Sequence, residues 1–369
     1  MRVVVFAHSL VSDWNHGNAH FLRGVVAELL KRGHQVRVFE PLDGWSRANL
    51  VVDHGRGAVD DVHEAFPWLH STSYDPREPD LEAMTEAADL VLVHEWNESS
   101  LVSRLGLLRG EGGYRLLFHD THHRAATAPE EMARYDLGHY DGVLAFGGVI
   151  RDLYLERGWA QQAWTWHEAA DVRTFFPLDG VARRGDLVWI GNWGDDERTA
   201  ELHEFLLGPV HRLGLRAQAY GVRYPKGAKQ ALAAAGIRYG GWRANHRAPA
   251  AFAAHGVTVH VPRRPYVEAL PGIPTIRPFE ALACGIPLVS ARWDDVEHLF
   301  TAGKDYLVAA NGREMERHLD DVLHDPSLAQ ALREHGLRTI WERHTCGHRV
   351  DELLAICAEL GLDTDVPPP

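Results

Sequence analysis

The sequence predicts an α/β protein with two parallel-sheet domains, and three observations support this prediction. At 369 residues the chain is longer than a single hydrophobic core usually serves. Its first half alternates short apolar runs with amphipathic stretches, which is the pattern of repeated β-α-β units. The stretch ADVRTFFPLDGVARRG breaks this alternation with proline, glycine and charge, and a second series begins at DLVWIGNWGDD. Because such sheets bind ligands at the carboxyl ends of their strands, we expect two domains that face each other across a cleft.

The elements of the first half follow from hydrophobic periodicity. RVVVFAH is typical of a buried strand, and NAHFLRGVVAELLKRG has the period of a helix that a glycine closes. The later predicted strands of this half are HQVRVFEP, DLVLVHE, YRLLFHD, GVLAFG and QAWTWHE. Residues 41–80 form a polar, proline-containing insertion whose role the pattern does not reveal.

The second half repeats the architecture and then becomes helical. Strands are predicted at RAQAYGV, GVTVHV, GIPLVS and DYLVA, with helices over about 196–213, 226–235, 246–254 and 278–284. We therefore expect an N-terminal domain over 1–172, a linker over 173–185, a C-terminal domain over 186–345, a helix over 346–361 and a disordered tail over 362–369.

Composition excludes several classes of protein. The net charge of −13 argues against non-specific nucleic-acid binding, which needs a basic face. The three cysteines have unrelated spacings, so they predict a reducing compartment and neither a disulfide framework nor a metal site. MRVVVFAHSL lacks the apolar core of a signal peptide, and no stretch approaches the roughly 20 apolar residues of a membrane span. We expect a cytoplasmic protein without a transmembrane segment.

Histidine and carboxylate pairs end several predicted strands of the first half. Such pairs can accept hydrogen bonds from hydroxyl groups, and a histidine beside a carboxylate can act as a base. The loop after the first strand is a second candidate, because a glycine-containing loop before a helix offers free backbone N–H groups. The alternative for each is structural, as a capped turn or as buried polar residues. The predicted acceptor-site or sugar-site residues are Asp13, His16, Gly17, His20, His94, Glu95 and His167, and the predicted catalytic residues are His119 and Asp120.

The run HDTHHR also raises the possibility of a metal site. It groups His119, Asp120, His122 and His123. Adjacent histidines on an extended segment point apart, and no metal-binding framework such as HExxH is present. We therefore predict no metal and no cofactor.

Two glycine-containing loops of the second half are suited to a phosphate group. In VWIGNWGDDER the glycines allow close backbone approach, while Asn192 and Arg198 can donate hydrogen bonds, although an ordinary capped turn also fits. The second loop, PGIPTIR, leads into a helix with Pro278 in its first turn. Glu280 in that helix either compensates the helix dipole or accepts hydrogen bonds from a ribose diol.

The stretch RPFEALACGIPLVS resembles the donor-site helix of group 1 glycosyltransferases with the GT-B fold. The form Thr-x-Arg-x-Phe-Glu, at residues 275–280, is most similar to the CgeB-like branch. LLKRGHQVRVFEP and EAADVRTFFP resemble two further segments of the group, so the similarity extends over nearly the whole chain. The resemblance implies two Rossmann-like domains, an acceptor bound by the first, a nucleotide-sugar donor held mainly by the second, and a last helix that crosses back to the N-terminal domain.

The resemblance implies that Glu280 faces the ribose and that the loop over 272–277 contacts donor phosphates or sugar. The group often has another glutamate eight positions earlier, where this chain has Gly272. The identity of the donor sugar therefore cannot be inferred from the resemblance. The predicted donor-site residues are Gly191, Asn192, Arg198, Arg263, Arg264, Tyr266, Gly272, Ile273, Thr275, Ile276, Arg277 and Glu280.

These features predict a metal-independent glycosyltransferase that acts on a hydroxyl of a glycan, lipid or small molecule. An inverting enzyme needs a base, for which His119 or Asp120 is the first candidate. In a retaining enzyme the leaving phosphate assists and these two residues bind sugar; retention is favoured because the related group is mostly retaining. The alternatives are a nucleotide-sugar epimerase of the same fold and a non-catalytic nucleotide-sugar-binding relic.

Overall fold

The structure, a computed structural model, describes residues 1–110 and 113–365. Contacts divide the chain into two compact units. The first unit comprises Met1–Glu168 and the segment that begins at Cys346, and the second unit is Ala169–Thr345. Of the tail expected over 362–369, the last four residues lie outside the described residues.

A seven-stranded parallel sheet forms the centre of the first unit. Its strands are β1 (Arg2–Phe6), β2 (Gln35–Pro41), β3 (Ser71–Tyr74), β4 (Leu90–His94), β5 (Arg115–Asp120), β6 (Gly142–Ala145) and β7 (Ala163–Thr165), in the order β3-β2-β1-β4-β5-β6-β7. The central strands are buried along nearly their whole length, as LVLVH of β4 shows, because helices cover both faces of a parallel sheet. All six strands predicted for this half are present.

Eight helices of the described residues connect these strands. They are α1 (Ala19–Lys31), α2 (Trp45–His54), α3 (Gly57–Ala65), α4 (Leu81–Thr85), α5 (Ser99–Arg109), α6 (Arg124–Thr127), α7 (Pro129–Met132) and α8 (Gly148–Glu156). The insertion over 41–80 contains α2, α3 and the edge strand β3. Strand β3, with the sequence STSY, is short and polar because an edge strand is partly exposed. Hydrophobic periodicity therefore did not predict this strand.

The second unit contains a six-stranded parallel sheet. Its strands are β8 (Leu187–Ile190), β9 (Ala217–Tyr220), β10 (Ile237–Tyr239), β11 (Val257–His260), β12 (Leu288–Ala291) and β13 (Leu307–Ala309), in the order β10-β9-β8-β11-β12-β13. The strand that opens the second series at DLVWIG and the four later predicted strands are present, whereas the three-residue edge strand β10 was missed. The core of this unit packs Trp189, Val259 and Val289 of the sheet against Leu206 and Leu319 of the helices.

The helices of the second unit match the prediction closely. The stretch expected over 196–213 is helical from 199 and includes one π-helical turn, His203–Leu207. The helices are α9 (Thr199–Leu202), α10 (Gly208–Leu213), α11 (Lys226–Ala234), α12 (Ala248–Ala253) after a 3₁₀ turn at Asn245–Arg247, α13 (Arg264–Glu268), α14 (Ile276–Ala283), α15 (Gly312–His324) and α16 (Pro326–Arg343).

The chain returns to the first unit through α17 (Cys346–Glu359), which packs against α1. Arg32 at the end of α1 forms an ion pair with Asp351 at 2.5 Å and donates to the carbonyl of Gly347 at 3.1 Å. The indole of Trp166 donates to the carbonyl of Arg349 at 2.7 Å. These bonds, together with the buried apolar face of α17, attach the helix to the sheet of the first unit.

No helix in the described part of the chain combines the length and the apolar character needed to cross a bilayer.

Candidate functional site

Four imidazole rings form a row at the carboxyl edge of the first sheet. His8 follows β1, His16 lies in the loop before α1, His94 ends β4 and His119 lies near the end of β5. Successive ring centroids are 5.4, 5.8 and 5.3 Å apart, and His119 continues the row to Trp166 at 4.8 Å. The row forms because β1, β4 and β5 are neighbours in the sheet, with His94 and His119 in direct register.

Burial keeps these histidines neutral. It lowers the pKa of His8 to about 4 and that of His119 to about 3. It also lowers the pKa values of His16 and His94 well below their usual range, and the neighbouring histidines add to that effect. At neutral pH the row therefore offers hydrogen-bonding nitrogens and no positive charge.

Stability is expected to fall as the pH drops from 7.5 to 5. The folded pKa values of the four histidines lie below the unfolded value of about 6.5, so the unfolded chain takes up protons first. The contribution of the neutral histidines to the free energy of unfolding is complete above about pH 7. It is lost as the pH falls from there towards the pKa values of the histidines in the folded protein. At pH 5 each histidine that stays neutral in the fold costs about 2 kcal/mol of unfolding free energy.

Calorimetry between pH 7.5 and 5 measures this dependence as a melting temperature that falls by several degrees. A His94→Asn variant should lose part of the dependence. A melting temperature that stays constant down to pH 5 would contradict the neutral row.

Hydrogen bonds define the protonation of His94. The hydroxyl of Thr121 donates to the Glu95 carboxylate at 3.0 Å, so its oxygen is the acceptor for Nε2–H of His94 at 3.3 Å. Nδ1 of His94 therefore carries a lone pair. This atom, Nε2 of His16 and Nε2 of His119 are buried and have no hydrogen-bond partner among the residues that the structure describes.

The two carboxylates beside the row have protein partners. Glu95 is fully buried and pairs with Arg124 at 2.9 Å. Asp120 accepts hydrogen bonds from the hydroxyl of Tyr154 at 2.8 Å and from the amide of His122 at 2.9 Å. Burial and the nearby charge of Glu95 raise the pKa of Asp120 well above its usual range. Of the two predicted catalytic residues, His119 is thus the one with an unpartnered ring nitrogen.

The predicted residues of the first loop are held within the protein. Asp13 and Arg23 form an ion pair at 2.9 Å with both side chains fully buried. His20 contacts the carbonyl of Gly17 through Nδ1 at 3.2 Å. Asp13 and His20 thus have partners within the protein, and their predicted contact with an acceptor stays a prediction. His167 is half-buried next to the end of β7.

His8 received no predicted role, although it lies two residues after the end of β1, at the same edge of the sheet as His94. Sequence periodicity could have found it if the end of β1 had been compared with the ends of β4 and β5.

In the second unit, Gly191 and the residues after it close the end of β8. The hydroxyl of Tyr224 donates to the carbonyl of Gly191 at 2.7 Å and accepts from the indole of Trp189 at 2.8 Å. A Cβ atom at position 191 would lie 2.7 Å from the Trp189 ring, which explains the glycine. A surface cavity beyond this turn is lined by Trp193, Asp195, Asp196, Arg223, Tyr224 and Pro225.

Arg198 connects this turn to the end of β11. Its guanidinium donates to the carbonyl of Val261 at 2.9 Å and to both the carbonyl and the side-chain oxygen of Asn192 at 2.7 Å. Burial lowers the pKa of Arg198 to about 9, so the group stays charged at neutral pH. These hydrogen bonds make Arg198 and Asn192 supports of the loop, and the phosphate contact predicted for them from the sequence stays a prediction.

The arginines after β11 face different neighbours. Arg263 is mostly buried and lies 3.0 Å from Glu197 and 3.2 Å from the side-chain oxygen of Asn192. Arg264 is exposed and pairs with Glu201 at 3.2 Å. Tyr266 is buried in α13. Arg263 is therefore closer to the Gly191 turn than Arg264 is.

A hydrogen-bonded chain holds the start of α14. Ser290 donates to the carbonyl of Ala291 at 2.7 Å, so its oxygen accepts from Nδ1–H of His260 at 2.9 Å. Nε2 of His260 must then accept from the hydroxyl of Thr275 at 3.1 Å. Thr275 uses its hydroxyl proton on His260 and makes no side-chain cap to α14 within the described residues.

An ion pair joins Arg277 in the first turn of α14 to Glu280, which is the fifth residue of the helix and so lies just beyond that turn. Glu280 is fully buried, while the Arg277 side chain is 16% exposed and covers the carboxylate. Ile273 and Ile276 are buried beside them. The sequence motif thus places a carboxylate under a cation at the amino end of a helix.

Gly272 has a φ of +90°, which favours glycine. Its amide donates to the carbonyl of Asp294 at 2.6 Å. A Cβ atom here would lie 2.6 Å from Oε1 of Glu297. A carboxylate therefore lies beside Gly272, contributed by the loop after β12.

In the described residues, no group of three or more histidine, cysteine, aspartate or glutamate side chains is arranged to hold a metal ion.

Residues 198–355 match a family model described as glycosyl transferase-like. This segment covers less than half of the chain and includes α14. No curated protein sequence matches the chain.

Solved structures match nearly the whole chain in fold. Sucrose-phosphate synthase of Thermosynechococcus elongatus has a TM-score of 0.66 and 13% identity over 98% of this chain and 99% of its own. HepE of Anabaena, solved with UDP and glucose, has a TM-score of 0.68 and 13% identity over 97% and 99%. An α-glucosyltransferase solved with UDP-glucose and DNA containing an abasic site has a TM-score of 0.69 and 12% identity over 97% and 99%. These likenesses confirm the predicted GT-B fold; the CgeB-like branch stays a prediction.

Proposed function

We propose that this protein is a glycosyltransferase that moves a sugar from a nucleoside diphosphate sugar to a hydroxyl group of an acceptor. The donor binds the Ala169–Thr345 unit, most of which the glycosyl transferase-like family model covers. Two of the proteins with the same fold were solved with UDP or UDP-glucose. A uridine nucleotide is therefore the first candidate donor.

The observation that carries this proposal is the arrangement at the start of α14. The Thr275 hydroxyl is directed to His260, which leaves the first N–H groups of the helix to a ligand. Backbone N–H groups and the positive end of the helix dipole favour an anion such as a diphosphate. Arg277 supplies a positive charge in the same turn.

Donor binding opens the ion pair of α14. The diphosphate attracts the partly exposed Arg277 side chain, which exchanges one anionic partner for another. The released Glu280 carboxylate then accepts hydrogen bonds from the two ribose hydroxyls. Glu280 is fully buried in the free protein, so it can contact the ribose only after this exchange. A change in nucleotide affinity therefore measures the exchange.

The transfer needs a leaving group and a proton acceptor. The bond between the anomeric carbon and the diphosphate oxygen breaks, and a bond from the acceptor oxygen to that carbon forms. The hydroxyl proton passes to an oxygen of the leaving diphosphate, and the product retains the donor configuration. We favour retention because the low pKa of His119 makes it a weak base at neutral pH.

The diphosphate charge is stabilised by the start of α14, by Arg277 and by Arg263, without a metal ion. In this reaction the unpartnered Nε2 atom of His119 binds a substrate hydroxyl in the first unit.

A thermal-shift series with UDP, GDP, ADP, CMP and dTDP tests the donor assignment. We expect UDP and UDP-glucose to raise the melting temperature, because a ligand at 100 times its Kd adds about 2.7 kcal/mol to the free energy of unfolding. Stabilisation by another nucleoside diphosphate would change the proposed nucleobase of the donor, and the proposed reaction would stay the same. No stabilisation by any nucleotide would contradict the proposal.

Product analysis separates transfer from the alternatives. Mass spectrometry should detect a glycoside when UDP-glucose is consumed in the presence of hydroxyl acceptors. Consumption that yields only an altered donor or free sugar indicates an epimerase.

A further inference from the structure

Two exposed indoles lie at the carboxyl edge of the first sheet. Trp45 is 45% exposed and begins α2, shortly after the end of β2. Trp96 is 41% exposed and follows β4 by two residues. Only β1 separates β2 from β4, so the two strands that precede the indoles are about 10 Å apart in the sheet.

Packing holds both indoles in place. Trp45 contacts the ring of Trp14 at 5.1 Å, and the Trp14 indole is anchored by a hydrogen bond to Asp53 at 2.9 Å. The guanidinium of Arg124 lies 4.1 Å from the centre of the Trp96 ring, and His122 contacts that ring at 5.0 Å. Rings that are ordered before binding lose little entropy when a ligand stacks on them.

The surface near the indoles is polar, and the charged side chains next to them in sequence, Asp43 and Glu98, are exposed carboxylates. His8 lies 6.4 Å from Trp45 and begins the row of neutral imidazoles that leads through His16 to His94. The cation beside Trp96 is neutralised, because Arg124 pairs with the buried carboxylate of Glu95.

We propose that Trp45 and Trp96 are stacking platforms for a saccharide acceptor of at least two sugar units, with His8 between them as a hydrogen-bonding group. The proposal rests on the proposed glycosyltransferase function and names the acceptor class. A pyranose ring presents an apolar C–H face, which suits an indole, and a rim of hydroxyls, which suits a neutral imidazole. Because the two indoles follow different strands, they offer two separate stacking faces, one for each of two sugar units.

Other acceptor classes fit this surface less well. DNA or RNA needs cations along its backbone, and the exposed indoles are accompanied by a neutralised arginine and neutral histidines. A long acyl chain needs a continuous apolar patch, which His8 interrupts.

Binding of the full-length protein to a broad glycan array, without donor, tests the proposal. The variants are Trp45→Ala and Trp96→Ala, and the matched control is Trp341→Ala, an indole of α16 that is 57% exposed in the other unit. We expect the wild type to bind at least one class of oligosaccharide. Each sheet-edge variant should lose at least about tenfold in affinity for it, and the control should stay within twofold.

Three outcomes would overturn the proposal. They are no glycan binding, glycan binding that survives both sheet-edge substitutions, and preferential binding to phosphatidylcholine vesicles that contain diacylglycerol. UDP stabilisation of the same variants is measured in parallel. If any of these outcomes occurs and UDP still stabilises the protein, only the saccharide surface is rejected. If UDP does not stabilise the wild-type protein, the glycosyltransferase function is rejected.

Discussion

Replacing Glu280 with glutamine is expected to weaken UDP binding about thirtyfold while the protein stays folded. A hydrogen bond to a charged group contributes about 2 kcal/mol, which corresponds to that factor in Kd. Glutamine keeps the size of the buried side chain, and Arg277 can turn to solvent because it is partly exposed. Isothermal titration calorimetry measures the affinity, with the melting temperature of the free variant as a check of folding.

Glu201→Gln is the matched control for this experiment. Glu201 also pairs with an arginine of the second unit, but it does so on the surface, where Arg264 lies at 3.2 Å. We expect its UDP affinity to equal that of the wild type. A folded Glu280→Gln protein whose affinity stays within twofold of the wild type would refute the contact between Glu280 and the ribose.

Replacing His119 with alanine is expected to lower turnover about a hundredfold and to leave UDP affinity unchanged. The imidazole lies in the first unit and offers an unpartnered nitrogen, so its loss removes a contact with the reacting substrate and none with the nucleotide. Steady-state kinetics with UDP-glucose and a saccharide acceptor, together with calorimetry for UDP, separate the two effects.

A second substitution distinguishes the two roles of His119. Glutamine can still hydrogen-bond a hydroxyl but cannot act as a base at neutral pH. Partial activity of His119→Gln supports hydroxyl binding and retention, and a variant as inactive as alanine supports a base and inversion. His63→Ala removes an exposed histidine of α3 in the same unit and is the control, which should keep wild-type turnover. Wild-type turnover in both His119 variants would reject a role of this residue in the reaction.

The elements of the sheets could be predicted from the sequence because their signal is local. A run such as RVVVF is apolar on both faces, and this alone indicates a buried parallel strand. Of the edge strands, β7 and β13 were predicted, whereas β3 and β10 were missed because STSY contains no aliphatic residue and IRY only one.

The candidate site could be predicted only in part. The motif around Glu280 is contiguous, so its residues were found together and the structure places them in one helical turn. The phosphate contact of Arg198 stays a prediction, and the sequence could not show that the carbonyl of Val261 lies within hydrogen-bonding distance of it. Trp45 and Trp96 received no role, since an indole is usually buried and its exposure is a property of the folded surface.

Sequence by itself determined the two parallel sheets, the resemblance to GT-B glycosyltransferases and the presence of Glu280 in a helix, because each depends on residues that are close along the chain. Tertiary structure alone decided which distant groups meet. Strand order brings His8, His16, His94 and His119 into one row, and burial in that row makes them neutral. In the sequence, Gly272 stands where related proteins often have a glutamate. In the structure, the carboxylate of Glu297 lies beside Gly272 and comes from another loop. The positive φ at residue 272 favours glycine, and because glycine has no side chain, the fold fills the space beside it with the side chain of Glu297.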